Sequence, residues 1–430
     1  MKPKLANREN IEYFLLLFLY RLILDIIYQD IISTDFAYEG FYIEWYPFTY
    51  AFSWIVLVLF GLVIRKAFIN NKHKISLEIM FIIFLIYFIP FTTMLGYGGV
   101  NILLTGLNLL YWSLLVVLLL YVRLFKTQIN LKDGKVSLTG ETDIKLIAII
   151  FCLVVLYISG FYTGFRIHFD LTTVYELRAE ASLYNLPVLI SYLFSGAKYA
   201  NPILIAYFIK KRDFSWGTLC FFVQILNFGV DGSKSTFFLA FFSVVITLLP
   251  AFSINTLNKL ILRSGVVSLG LCLAVACLLD NIWPVSLLVR RMMFTPVKLS
   301  ANYVDFFLQQ TPDYFRQSFL RHFGFESPYT NIAYMIGEVY SNKVTGANSG
   351  LIADAIANLG IFGVFIFPFL LWLILRLLDR CTGEIDFRIY IVTALAIATT
   401  LINSFLFTVL LTHGLLISMI VLSRIRKTGI

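Results

Sequence analysis

The chain has 430 residues, of which 59% are hydrophobic, 17% aromatic and only 14% charged, and its mean hydropathy is +0.84. Soluble domains are about 45–50% apolar, so this composition excludes a soluble enzyme and points to a polytopic membrane protein. The formal charge of +9 would suggest nucleic acid in a soluble chain; here Lys and Arg gathered in cytoplasmic loops account for it, and no nucleic-acid partner is expected.

In chain order, stretches of the roughly 20 apolar residues that a bilayer crossing needs fall at 11–28, 47–64, 75–95, 101–122, 145–163, 187–209, 214–230, 235–250, 261–279, 350–376, 388–403 and 405–422. The predicted fold is therefore all-α, with about twelve transmembrane helices. The first stretch has a basic lead (Lys2, Lys4, Arg8) and no small-residue cleavage site after it, so it is expected to stay as an anchor. Cys152, Cys220, Cys272 and Cys277 fall in apolar segments, and neither they nor Cys381 have a CxxC partner. They are expected to be small buried hydrophobes without a disulfide or metal.

The loops alternate in charge. Residues 29–46 carry Asp30, Asp35, Glu39 and Glu44 and no Lys or Arg, whereas Arg65, Lys66, Lys72 and Lys74 follow the next span. Residues 123–145 hold Arg123, Lys126, Lys132, Lys135 and Lys145; then come Lys210, Lys211 and Arg212, then Lys259 and Arg263, and the tail has Arg424, Arg426 and Lys427. Basic loops remain in the cytoplasm, so both termini are expected there, with 164–186 and 280–349 outside. No internal repeat or linker divides the chain, which reads as one domain over 1–430.

Several polar residues stand out within this frame. Arg21 and Asp25 lie four apart on the first helix and are expected to pair structurally. Arg166 and Arg178 sit in the outer loop after the fifth span, where the topology rule disfavours them; guanidinium forks match phosphate oxygens. Lys198 falls in the middle of the sixth span, where an ammonium costs roughly 3 kcal/mol. It is expected to face a polar cavity, with Pro202 breaking the helix beside it. The stretch Gly229-Val230-Asp231-Gly232-Ser233-Lys234-Ser235-Thr236 lacks the Gly before Lys of a phosphate loop and is read as a turn at the outer surface.

Residues 280–349 form the one long polar stretch. It carries Arg290, Arg291, Lys298, Asp305, Asp313, Arg316, Arg321, His322, Glu326 and Glu338. Tyr303, Phe306, Phe307, Tyr314 and Phe315 fall near helical spacing, with Pro312 interrupting, which predicts short amphipathic helices in the interface. After it, Asn348 or Ser349 is placed to cap the next helix. Asp354 then sits about one turn inside the span and needs a partner, for which an Arg of the long loop is the expected one. A long, charged, aromatic-rich loop on one face is where the chemistry is expected.

The runs Arg290-Arg291-Met292-Met293-Phe294-Thr295-Pro296, Ser327-Pro328-Tyr329, Ile336-Gly337-Glu338-Val339-Tyr340 and Ala347-Asn348-Ser349-Gly350, continuing to Asp354, Gly360 and Gly363, resemble the O-antigen polymerase (Wzy) family of oligosaccharide repeat-unit polymerases. The span count and the long outer loop near the C-terminal end fit as well. Some members carry an Arg, ten residues and a Gly in two outer loops; Arg166, Arg178, Arg290 and Arg291 lack that spacing.

The resemblance implies a GT-C-like glycosyltransferase that takes undecaprenyl-diphosphate-linked oligosaccharide as donor and acceptor, without a cofactor, among membrane lipids and with a chain-length regulator protein as a partner. A sugar hydroxyl would attack the anomeric carbon of the lipid-linked glycan, with inversion. Arginines would stabilise the departing diphosphate without a metal. The substrate-binding candidates are Arg290, Arg291, Arg166, Arg178, Lys198, Arg321 and Asn348. Glu338, His322 and Asp354, in that order, are the candidate bases. Three rivals remain open at this stage. An O-antigen ligase shares the architecture and donor. A lipid-linked oligosaccharide flippase would show two similar halves and short outer loops. A non-enzymatic assembly protein would not need arginines clustered outside.

Overall fold

The computed structural model describes residues 3–69, 73–122, 138–168, 174–341, 345–426 and 428. Of the basic residues behind the topology reading, Lys2, Lys72, Arg123, Lys126, Lys132, Lys135 and Lys427 lie outside the described residues, as do the side chains of Lys4 and Arg8. Among the described residues the protein is helical throughout, without strands. Seven helices are long and apolar enough to cross a membrane: Pro47–Ile69, Ile75–Gly96, Ile102–Tyr121, Gly140–Thr163, Val188–Lys211, Ile254–Leu279 and Ile352–Thr382. The chain is thus a membrane-embedded helical protein. The other expected apolar segments also fall on helices: Pro3–Ile27, Phe214–Asp231, Lys234–Leu248, Phe387–Asn403, and the pair Leu406–Leu411 and Leu415–Arg426.

Burial separates these helices. The most apolar window of Ile75–Gly96 is 94% buried, and that of Ile254–Leu279 only 17%. The first is surrounded by protein. The second leaves Val267, Leu271, Leu278 and Leu279 bare, an apolar surface that lipid can cover. Around the central helix, Arg21 donates to Asp25 at 2.6 Å, to Thr92 at 3.3 Å and to Ser53 at 3.2 Å, while the Tyr50 hydroxyl reaches Asp25 at 3.1 Å. The expected pair therefore forms, and it ties three helices together in the interior.

The helices break where protein can repair the backbone. Pro202 was expected to end its helix, but Val188–Lys211 runs through it. A proline removes the donor for the carbonyl four residues back. That carbonyl, of Lys198, instead accepts the side-chain amide of Gln224 at 3.0 Å, so the helix survives.

The expected span 350–376 is a short helix, Ile352–Leu359, followed after Gly360 by Gly363–Thr382. Neither Asn348 nor Ser349 caps it: the helix begins at Ile352, and no side chain caps its first turn. The reason is packing. A Cβ on Gly350 would lie 2.1 Å from the Leu401 carbonyl oxygen, and one on Gly363 would lie 2.0 Å from that of Ala355. The chain is pinned at both glycines by neighbouring backbone, which delays the helix start. The expected span 405–422 is likewise interrupted, at Thr412-His413-Gly414.

Candidate functional site

The long loop folds back onto the helices. From Val285 a stretch of wide helical turns runs into Thr295–Gln309, which buries Val297, Ser300, Tyr303, Val304 and Phe307 along one stripe. The expected amphipathic helix is there, but its aromatics pack on protein: Tyr303 meets Phe405, and Phe307 meets Tyr329.

After Pro312 the loop turns under the broken helix. The N–H groups of Asp313 and Tyr314 donate to the carbonyls of Ala357 at 2.7 Å and Asn358 at 3.0 Å. Phe315 N–H donates to Asn358 Oδ1 at 3.0 Å. These bonds supply donors to carbonyls that the end of a helix leaves open. They also hold Tyr314 and Phe315 at φ of 53° and 64°, a conformation that large side chains resist. Asp313 fixes the rest of the turn, accepting the Ser327 hydroxyl at 2.5 Å and the Gln317 N–H at 2.7 Å.

Beside this turn lies a cavity of about 170 Å³. Amides and hydroxyls dominate its wall (Asn331, Asn348, Ser349, Asn358, Ser404 and Thr408), Tyr303 and Phe405 contribute rings, and Asp313 contributes a carboxyl already bonded to Ser327 and Gln317. Among the described residues no Lys or Arg lines it. Ser349 is 1% exposed, and its hydroxyl has no hydrogen-bond partner.

Asp354 stands behind this wall, in a neighbouring gap of about 10 Å³ that Ser404 also lines. The expected arginine partner is not there. Asp354 Oδ1 accepts the Asn358 amide at 2.7 Å, and Oδ2 accepts the Leu406 N–H at 2.5 Å. An amide and an open helix-start N–H satisfy the carboxyl without moving a long cationic side chain inward.

The cations form two groups. Arg290 bonds Glu39 and Ser286 and stacks 4.3 Å over Phe36, while Lys298 lies 6.0 Å over Tyr42. Burial pushes the Lys298 ammonium below its usual range, partly offset by Asp305. Arg291, next in sequence, is exposed. This group gathers on residues 36–42, a segment not singled out as part of the site from sequence.

The second group grips the 229–236 turn. Arg166 donates to the Gly229 carbonyl at 3.1 Å and to Glu180 at 2.9 Å, Arg178 to the Gly232 carbonyl at 3.2 Å, and Lys198 to the Ser233 hydroxyl at 2.6 Å. The turn is therefore half-covered by these three side chains, with Ser235 exposed. Cations at the carbonyl end of Phe214–Asp231 are favoured by the helix dipole, which gives this group a structural task. Bonds from Tyr184 and then Arg166 hold the Glu180 carboxyl below the usual range. The Tyr184 hydroxyl is pushed up to about 12 by burial and by Glu180.

Of the remaining candidates, Asn348 lines the cavity, whereas Arg321 and Glu338 are exposed and do not line it. The His322 side chain lies outside the described residues. No family model, curated protein or solved structure matches the chain.

Reading the sequence alone missed Asn358, Ser404 and His413. Two of them had a visible signal. Asn358 lies four residues after Asp354, on the same face of one helix turn. Thr412-His413-Gly414 is a polar triplet inside an apolar segment, which marks a break. Ser404 had none.

Proposed function

We propose that the chain is a membrane glycosyltransferase that joins lipid-diphosphate-linked oligosaccharide repeat units into O-antigen or a related surface polysaccharide. In this reading the twelve apolar segments all cross the inner membrane of a bacterium, both termini are cytoplasmic, and residues 280–349 work on the periplasmic side in a GT-C-like arrangement. The observation that carries it is the 170 Å³ cavity, whose amide and hydroxyl wall, with the single carboxyl of Asp313, suits a hydroxyl-rich sugar and whose volume is below the ~300–1,000 Å³ of drug-sized ligand sites. It has room for one ring rather than a whole repeat unit. That favours chemistry at a single sugar over passage of the oligosaccharide, although broken helices beside a polar cavity are also a transporter trait.

The charge belongs elsewhere. A diphosphate fits the Arg290, Arg291 and Lys298 group, which the Thr295–Gln309 helix joins to the cavity. Arg290 and Tyr303 lie thirteen positions apart along the helical stretch, roughly 20 Å. The sugar next to the diphosphate would therefore need the loop to close over it. In the reaction a hydroxyl of one lipid-linked unit attacks the anomeric carbon of the other. The new C–O bond forms as the anomeric C–O bond breaks, and its electron pair leaves on the diphosphate, where cations stabilise it.

The test is polymer synthesis by the purified protein in lipid bilayers from an undecaprenyl-diphosphate-linked repeat unit, read as a ladder of chain lengths. Asn348→Trp, which fills the cavity from its exposed edge, should abolish the ladder while the protein still inserts. No polymer from the wild type would overturn the reading, as would a normal ladder from the filled variant. Movement of the intact lipid-linked unit across the bilayer, without polymer, would establish transport instead.

A further inference from the structure

We propose that His413, acting through Ser404, takes the proton of the attacking sugar hydroxyl; the inference rests on the transferase reading above. It starts from a hydrogen-bond chain that fixes which ring nitrogen is bare. The Thr412 hydroxyl donates to the Thr408 carbonyl at 2.9 Å. Its one proton is thereby used, so toward the His413 ring it can only accept. Thr412 Oγ1 lies 3.1 Å from His413 Nδ1, which must then carry the hydrogen. The other nitrogen, Nε2, presents a lone pair 3.2 Å from Ser404 Oγ. Ser404 therefore donates to His413 and keeps its own lone pairs for another donor. Ser404 lines the 170 Å³ cavity, so the natural donor is a hydroxyl of whatever occupies it.

The competing bases at this wall are engaged. Asp313 accepts from Ser327 and Gln317 on its two oxygens. Asp354 accepts from Asn358 and Leu406 on its two oxygens. Among the described residues, the charged group that acts on His413 is Lys198, from Val188–Lys211, whose ammonium interacts with the ring electrostatically; Asp354 shares the small gap with Ser404. Tyr199, on the same helix as Lys198, packs against Gly414 at the break beside His413.

The step balances. The acceptor hydroxyl gives its proton to Ser404 Oγ as the Ser404 proton passes to His413 Nε2. The acceptor oxygen bonds the anomeric carbon, the C–O bond to the diphosphate breaks, and the electron pair leaves with the diphosphate. The imidazolium returns its proton to water once the product has left. His413 is a positioning residue that works through Ser404, which touches the substrate.

The experiment compares wild type with His413→Gln, Ser404→Ala and Ser404→Thr in the bilayer polymerase assay, measuring kcat, KM and the pH profile. A base must be neutral to accept, so wild-type kcat should fall as pH falls through the imidazole pKa. His413→Gln offers an oxygen to Ser404 but takes no proton. Its kcat should drop by about 10²–10⁴-fold with KM nearly unchanged, and the acidic limb should disappear. Ser404→Ala should behave alike, and Ser404→Thr should restore most of the rate. A wild-type kcat or a surviving acidic limb in His413→Gln would overturn the proposal. Should His413→Gln fail to fold, the pH profile of Ser404→Ala decides in the same way. Absence of polymer from the wild type would sink the transferase reading; a working wild type with an indifferent His413→Gln sinks only this step.

Discussion

Asp354 Oδ2 accepts the backbone N–H of Leu406 at 2.5 Å, across 52 residues of sequence, while its Oδ1 accepts the Asn358 amide at 2.7 Å. Leu406 opens one helix beside the cavity, and Asn358 closes another. A single carboxyl therefore clamps two chain breaks together. Asp354→Ala leaves the Leu406 N–H buried without its acceptor, at about 1–3 kcal/mol, and removes one of the two bonds of the Asn358 amide, which keeps the Asp354 carbonyl at 3.1 Å. Thermal unfolding of the detergent-solubilised variant should show a clear fall in Tm. Asp354→Asn keeps one acceptor oxygen for Leu406 but turns a donor toward Asn358, so its Tm should fall in between. An unchanged Tm for the alanine variant would refute the clamp.

Gln224 repairs the helix at Pro202. Its Nε2 donates to the carbonyls of Lys198 at 3.0 Å and Thr236 at 3.2 Å, and its Oε1 accepts from Asn201 at 3.2 Å. Gln224→Leu should cost about 1–3 kcal/mol, because those groups are inside the protein and lose their partner. Pro202→Ala restores a backbone N–H that can reach the Lys198 carbonyl. The double variant should then be more stable than the sum of the single effects requires. A double-mutant cycle in Tm measures the coupling, and strict additivity would exclude the repair.

The contrast between these two sites explains what a sequence can show. Hydropathy is a property of each segment, so all twelve apolar stretches could be placed, and each falls on a helix or a broken helix. The breaks were hidden because their causes lie far along the chain. Gly350 is held by Leu401, Pro202 is rescued by Gln224, and the end of Ile352–Leu359 is met by Asp313 and Tyr314. The site was legible as a region and not as a set of contacts. Asn348 does line the cavity, whereas Arg290 is paired with Glu39, Asp354 is met by an amide, and Arg166 and Arg178 hold carbonyls. Charge type reads locally; the partner that charge finds is set by packing.

Arg290 pairs with Glu39, so in the proposed transferase Glu39 would compete with the diphosphate for it. In the proposed transferase, Arg290→Ala should abolish long glycan while insertion is normal. Arg290→Lys should rescue poorly, because a point charge replaces neither the fork nor the stack on Phe36. Glu39→Gln should tighten binding of undecaprenyl diphosphate. A partly exposed ion pair is worth about 1 kcal/mol at most, so the gain should be at most about five-fold. Titration of the lipid diphosphate against each variant in nanodiscs reads this directly. Weaker binding by Glu39→Gln would show that the carboxylate orients Arg290 instead of competing for it.

The acidic limb of stability offers a separate check on the second cationic group. Bonds from Tyr184 and Arg166 hold Glu180 below its ordinary value of 4.5. A carboxyl depressed in the folded state adds stability above its unfolded value and loses it as pH falls through the folded one. The side chain is 39% exposed, so the effect is screened and small. Wild type should therefore be slightly more stable than Glu180→Gln at neutral pH, and the gap should close as pH drops below about 4.5. Because Arg166 also holds the Gly229 carbonyl, the variant should keep the 229–236 turn in place, with unchanged protection of its amides in hydrogen exchange. If exchange in that turn accelerates in Glu180→Gln at neutral pH, then Glu180, rather than the helix end, is what seats Arg166.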